Sequence, residues 1–430
     1  MAKDKYVIKG GRVIDPTNGV DCVTEIYIDG DTIERVGGRK NFKDRLLIDA
    51  TGMLVVPGLV DIHVHLREPG NEESETVKSG SEAAVRGGIT SVCCMGNTKP
   101  PIDNADGVRF IYDRARDASC WVYPIAAITK GLRGEELSEM ANLSLAGAVG
   151  FSDDGYHVKN ARLLRYALEY SSMLDIPIIM HCEDENLVSE GHMHEGIYSG
   201  ILGMPAMPDI SESTAVARDI AIAEFVDAHI HICHVSTRKS VEIIREAKER
   251  GVKVTAETTP HYLTLTDKDV YDSDLDSDFK MNPPLRSAED RESLIEAIND
   301  GTIDAIVTDH APHSPEKKDC DFASAAFGIV GLETSVALVL SELVLKGVID
   351  YTRMVELMSS NPSRILNLPA GTLTQGGFAD ITIIDPNRKW TVDPKSFASL
   401  SRNTPFKGRE LTGKPVWTMV GGEIMFDELS

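Results

Sequence analysis

Between residues 57 and 311 short strand-like runs alternate with longer runs of helical character. The strand-like runs are LVDIHVHL, GITSVCCMG, CWVYPIAAIT, AVGFSDD, PIIMHCE, HIHICHVS, KVTAETTP and DAIVTDHA. Helix-like text follows several of them, as in EESETVKSGSEAAVRGG (72–88), KSVEIIREAKERG (239–251) and AEDRESLIEAINDG (288–301). A helix between two strands serves as the long crossover that a parallel pair requires. Eight such units over about 250 residues predict an α/β fold, a (β/α)8 TIM barrel, whose strands all end at one mouth. A doubly wound sheet is the competing arrangement, but no GxGxxG follows any strand.

The barrel leaves both ends of the chain unexplained. Residues 4–56 read as short strands punctuated by Gly-Gly, Asn-Gly and Asp-Gly turns. FADITIIDPNRKWTV (378–392) and PVWTMVGGEIMFD (415–427) repeat that character. Neither end looks self-sufficient. The expected division is residues 1–56 and 367–430 joined as one small β-sandwich, with 57–366 as the barrel.

Charge narrows the partners. Lys and Arg total 44 against 67 Asp and Glu, for a net charge of −23, which disfavours nucleic acid and anionic lipid. No apolar run approaches the ~20 residues of a membrane span. The opening MAKDKYVIKGG lacks the apolar stretch of a signal peptide. Seven cysteines, an odd number mostly set in strand-like text, read as reduced thiols. A cytoplasmic protein with a small-molecule substrate is expected.

The first barrel strand carries VDIHVHLR (60–67). Strand alternation puts Asp61, His63, His65 and Arg67 on one face, and two imidazoles there can close on one metal ion. Such a pair is weak by itself. However, other strand runs end in Asp153 and Asp154, in His181, in His234, and in Asp309, His310 and His313. Singly these would be caps or turn groups. Five strand ends of this kind predict a one- or two-metal site, with Asp154 available as a bridge. His229 and His231 share strand parity with each other and not with His234, so they are assigned to the helical shell or a subunit contact. His157, His192, His194 and His261 sit in loop-like text and read as solvated or structural. Lys130 reads as a surface or packing lysine and not as a carbamylated bridge, because Asp154 already supplies a carboxylate.

PGLVDIHVHLREPG, MGNTKPPIDN, FSDDG, MHCED, CHVST, MNPPLR, and TDHAPH followed by FGIVGLET together resemble class I dihydroorotase of the amidohydrolase superfamily. The resemblance spans nearly the whole chain in one order. It implies the barrel and sandwich, zinc (one or two ions per subunit), and reversible hydrolysis of dihydroorotate to N-carbamoyl-aspartate in pyrimidine synthesis. By the same resemblance His63, His65, Asp154, His181, His234 and Asp309 are metal ligands. His65, Arg67, Asn97, Asn282 and His313, with the backbone near Phe327 and Gly328, are substrate contacts. Where the family commonly has Met-Pro-Asn-Thr this chain has Met95-Gly96-Asn97-Thr98, and glycine loosens the loop that places Asn97. A homodimer and association with aspartate carbamoyltransferase are the protein partners that the resemblance suggests.

The chemistry agrees. An unactivated cyclic amide needs a strong nucleophile, which a metal supplies by lowering the pKa of water toward ~7. Asp309 is the expected catalytic residue, shuttling the proton to the ring nitrogen. Arg67 offers a planar fork for the substrate carboxylate. A hydantoinase or allantoinase is the competing enzyme, and a non-catalytic scaffold is the competing class. Those enzymes typically carry a bridging lysine where this chain has Asp154, and a scaffold would have lost ligands. The long segment from Ser314 to Gly331 reads either as a lid or as an ordinary solvated connection.

Overall fold

The computed structural model describes residues 4–38 and 44–429. Its centre is an eight-stranded sheet of β1 (Leu59–Val64), β2 (Ile89–Cys94), β3 (Trp121–Ala126), β4 (Gly150–Phe151), β5 (Ile178–Met180), β6 (Ile230–Ile232), β7 (Val254–Thr258) and β8 (Ala305–Ile306). Each strand pairs in parallel with the next in the chain. A parallel bridge between Val64 and His310 joins the first strand to the segment after the last. There the His65 N–H donates to His310 O at 2.8 Å, and Asp61 accepts from the Thr308 N–H at 3.1 Å. Asp61 thus serves the closing seam and leaves the histidines to the mouth.

The helices begin where side chains can satisfy their free N–H groups. Thr76, Asn104, Asn160, Thr237 and Ser287 each accept such a bond. The helix read over 72–88 therefore runs Val77–Arg86, starting only after its Thr76 cap. In Arg238–Glu249 the residues Val241, Ile244 and Ala247 are buried, a helical spacing that packs against the outer face of the sheet. Ile230 and Ile232 join the same cluster from β6.

The two ends build a pair of sheets. One holds Thr32–Val36, Ile26–Asp29, Lys5–Lys9 and Leu46–Asp49. The other interleaves Leu54–Pro57, Arg12–Asp15 and Val20–Val23 with Ile381–Thr391, Glu410–Val420 and Glu423–Asp427. Their shared core takes Ile8, Ile26, Ile28 and Val55 from the first segment and Ile381, Ile383, Trp417 and Met419 from the second. Trp417 is 1% exposed, so its truncation would cost ~3–5 kcal/mol. Gly58 is the hinge from sandwich strand to barrel strand. A Cβ there would lie 2.1 Å from Thr90 Oγ1, so the chain passes only without a side chain.

Candidate active site

The C-terminal ends of the barrel strands surround a cavity of about 210 Å³. It is lined by His65, Arg67, Asn97, Asp154, His181, His234, Asn282, Asp309, Phe327 and Gly328 among others. His63 lies fully buried beneath it. Its Nε2 is 3.5 Å from Asp154 Oδ1 and 3.5 Å from Asp309 Oδ1. His65 Nε2 is 3.1 Å from Asp309 Oδ1 and 3.5 Å from Asp154 Oδ2. On the other side of Asp154, His181 Nδ1 and His234 Nε2 lie 3.8 and 3.6 Å from Oδ1, and 2.9 Å from each other. The structure thus brings together all six residues expected to bind metal. Asp154 stands between the two histidine pairs, whereas Asp153 turns away to the Thr129 N–H at 3.0 Å.

Backbone conformation does part of this aiming. Arg67, His234 and Asp309 have φ of 60°, 33° and 46°, a left-handed region costly for residues with a side chain. His234 follows β6, and its turn breaks strand parity. Correct alternation along β6 therefore sends His231 inward with Cys233, contrary to its assignment to the helical shell. His231 is fully buried, with Nε2 3.0 Å from Glu257 Oε2. Glu257 Oε1 in turn sits 2.5 Å from His63 Nδ1. A carboxylate at Nδ1 fixes the proton there and leaves Nε2 with its lone pair facing the cavity side. His63, Cys233 and Glu257 also place donor atoms within 4.8 Å of one another. The Glu257 oxygen already occupies the hydrogen-bonding position of Nδ1.

Glu257 was missed by sequence reasoning, although a signal existed: it is the single acidic residue in KVTAETTP, one place before the strand ends. His229 remains at the start of β6 beside Thr255, with Nε2 2.8 Å from its hydroxyl. His157 is structural, 3.0 Å from Asp219, and Lys130 pairs on the surface with Glu136 at 2.6 Å.

Burial opposes charge on every group here. At His63 the Glu257 and Asp154 carboxylates outweigh it and raise the pKa of the ring, so a second proton and a metal ion compete for the Nε2 lone pair. At His65, burial and then Arg67 prevail and lower it. Burial would also raise Asp154 and Asp309, but His63 and its neighbours keep both below the ordinary carboxylate range. His313 is pushed down to about 3 by burial and by Arg67, so its ring is neutral. Its Nε2 lies 2.7 Å from Phe327 O, and Arg67 Nε donates to Pro312 O at 3.1 Å.

Asn97 is tied in on both sides. Its Oδ1 lies 3.0 Å from His65 Nδ1, and its Nδ2 donates to Asp154 O at 3.1 Å. Gly96 does not free this loop: a Cβ would stand 2.8 Å from Ile125 O, so the backbone rests against β3. The segment after β8 is also anchored. Lys318 is buried, with Nζ donating to Ala326 O and Gly328 O at 3.1 Å each.

Comparison with known proteins places the chain. Residues 52–240 match a family model described as dihydro-orotase-like. The dihydroorotase of Pelotomaculum thermopropionicum is 51% identical over 424 residues, which cover 99% of each chain. That of Geobacter metallireducens is 49% identical over 98% of this chain and 99% of its own. The chain belongs to the dihydroorotase family. Among solved structures, the L-hydantoinase (dihydropyrimidinase) of Arthrobacter aurescens superposes with a TM-score of 0.89 at 26% identity, over 100% of this chain and 97% of that one. A D-hydantoinase (dihydropyrimidinase) of a Thermus species gives 0.83 at 25% identity, over 98% and 95%. Among the described residues no helix is long and apolar enough to cross a membrane.

Proposed function

We propose that this chain is a zinc-dependent dihydroorotase, opening the dihydroorotate ring to N-carbamoyl-aspartate and closing it again in pyrimidine synthesis. The observation that carries the reading is the convergence of four histidines and two aspartates on one cavity beside the Arg67 guanidinium. The donors fit a divalent first-row ion. His63 Nε2 and Asp154 Oδ1 are buried without a hydrogen-bond partner, a costly state for polar atoms that a cation would relieve. Donor atoms of His63, His65 and Asp154, and of Asp154, His181 and His234, each fall within 4.8 Å of one another. These residues would hold one or two zinc ions, with Asp309 at the first position and Asp154 between the two.

Zinc bound there would polarise the scissile carbonyl and acidify a water. The chain's own residues do the rest. Asp309, kept ionised by its histidine neighbours, accepts the proton of the attacking water at its carboxylate and delivers it to the departing ring nitrogen. Arg67 binds the substrate carboxylate as a two-donor fork, helped by Asn97 and the neutral His313. Asn282 and the backbone at Phe327 and Gly328 complete the wall. Asn97 has a second task, orienting His65 through its Nδ1.

The division into residues 57–366 and a sandwich of 1–56 with 367–430 is likewise our proposal, supported by the mixed core of the two sheets. Gel filtration of the protein alone, and mixed with aspartate carbamoyltransferase, tests the expected homodimer and the expected association. The activity itself is tested by measuring kcat/KM on dihydroorotate against neutral hydantoin and allantoin. We expect strong preference for dihydroorotate. Efficient hydantoin hydrolysis without dihydroorotate turnover would favour the hydantoinase reading instead.

A further inference from the structure

A stretch from the C-terminal sandwich segment reaches the barrel mouth and is used by nothing in the reaction as described. Ser399 and Ser401 moor it, their hydroxyls donating to Glu75 Oε2 at 2.5 Å and to Ser74 O at 2.7 Å. Next to them Asn403, 4% exposed, sits against the cavity wall. Its Nδ2 donates to Ala311 O at 3.2 Å and to Gly328 O at 3.0 Å. Its Oδ1 accepts from the His313 N–H at 3.2 Å, and its backbone carbonyl accepts from the Val330 N–H at 2.9 Å. One side chain therefore joins the two pieces of backbone that form the substrate side of the cavity, 311–313 and 327–330.

The arrangement needs an amide. Ala311 O and Gly328 O face a common point, and two carbonyl oxygens brought together repel unless N–H groups lie between them. The third contact is an N–H that needs an acceptor. Only Asn or Gln offers two donors and an acceptor on one short neutral group. The clearance is small as well: Gly328 has φ +136°, and a Cβ on it would lie 2.8 Å from Ala311 O and 3.1 Å from His313 Nε2. Lys318 Nζ shares Gly328 O, but among the described residues only the Asn403 side chain spans to both Ala311 and His313 as well.

We propose that Asn403 is a positioning residue for substrate binding, which sets the spacing between His313 and the Phe327–Gly328 backbone. It touches none of the expected metal ligands, so its effect belongs to substrate affinity and not to the metal. This inference rests on the dihydroorotase reading above.

The test uses Asn403→Asp and Asn403→Ala in the zinc-loaded full-length protein. Aspartate keeps the acceptor for His313 but turns a carboxylate oxygen toward two carbonyls. Alanine removes all three side-chain bonds. For both we expect KM for dihydroorotate, and the calorimetric Kd of N-carbamoyl-aspartate, to rise about tenfold or more, with kcat and bound zinc close to wild type. A purely structural role would instead lower the fraction of active protein, leaving KM and Kd unchanged in the folded remainder. That result, or loss of zinc in step with loss of rate, overturns the proposal. Because KM and Kd are read on the folded fraction, a poorly folding Asp variant leaves the Ala variant as the decisive one. If wild type itself fails to turn over dihydroorotate, the functional reading has failed. If wild type is active and the variants bind as tightly as it does, only the role of Asn403 has failed.

Discussion

Replacing Glu257 removes a carboxylate that no bulk solvent can substitute. It is 1% exposed and holds two imidazole N–H groups at once, His63 Nδ1 at 2.5 Å and His231 Nε2 at 3.0 Å. Glu257→Ala leaves both donors buried and unpaired, at ~1–3 kcal/mol each. Glu257→Gln is more selective because it keeps the volume. If its amide nitrogen faces His63, it must donate to Nδ1, and the ring proton moves to Nε2, the atom facing Asp154 and Asp309. Carboxylates in this position typically contribute 10–100-fold to metal affinity, or about 1.4–2.7 kcal/mol. Competition with a graded chelator should show a loss in that range for Glu257→Gln. Activity should recover largely when zinc is supplied in excess, since the residue never reaches substrate. Wild-type zinc affinity in both variants would show that the Glu257 bond does not set the His63 tautomer.

Other perturbations separate the remaining roles. Arg67→Met should cost ~2–5 kcal/mol in binding the substrate carboxylate, seen chiefly as a higher KM for dihydroorotate; a kcat effect alone would contradict it. Asp309→Asn should remain ~10²–10⁴-fold slow even with metal content restored, and rescue by added zinc would leave Asp309 a ligand only. Burial raises Glu333 from an ordinary 4.5 to about 7 in the folded chain. An acid raised on folding favours the folded state below its unfolded pKa, so stability should fall as pH rises from about 4.5 through about 7. Thermal unfolding across that window should show the fall in wild type and a flatter curve in Glu333→Gln; parallel curves would refute it.

The barrel and the convergence of the strand-end histidines and aspartates were legible because both follow from periodicity. Strand and helix runs announce themselves by spacing, and residues just past a strand fall at the mouth whatever their neighbours. His231 was misplaced because parity was referred to His234, whose left-handed backbone lies outside the strand. Two-residue periodicity predicts facing only while the chain stays extended. Glu257 went unseen because its meaning comes from His63, on a strand far away in sequence. Asn403 carried no local signal at all: its partners at 311, 313, 328 and 330 converge only once the sandwich segment returns to the barrel. The Met-Gly-Asn-Thr departure looked loosening by sequence, yet Gly96 is held against β3, and the close approach explains why a side chain is absent there.

The central claim, that six strand-end residues hold the metal that makes this chain a dihydroorotase, is tested most directly by titration. Protein stripped by chelator is reloaded with zinc, and dihydroorotate turnover is followed against metal bound per chain. We predict negligible turnover in stripped wild type and a rise that saturates at one or two zinc ions per chain, with His181→Ala binding less zinc and reaching a lower rate. Full turnover by stripped protein, or full zinc and full rate in His181→Ala, would contradict the account.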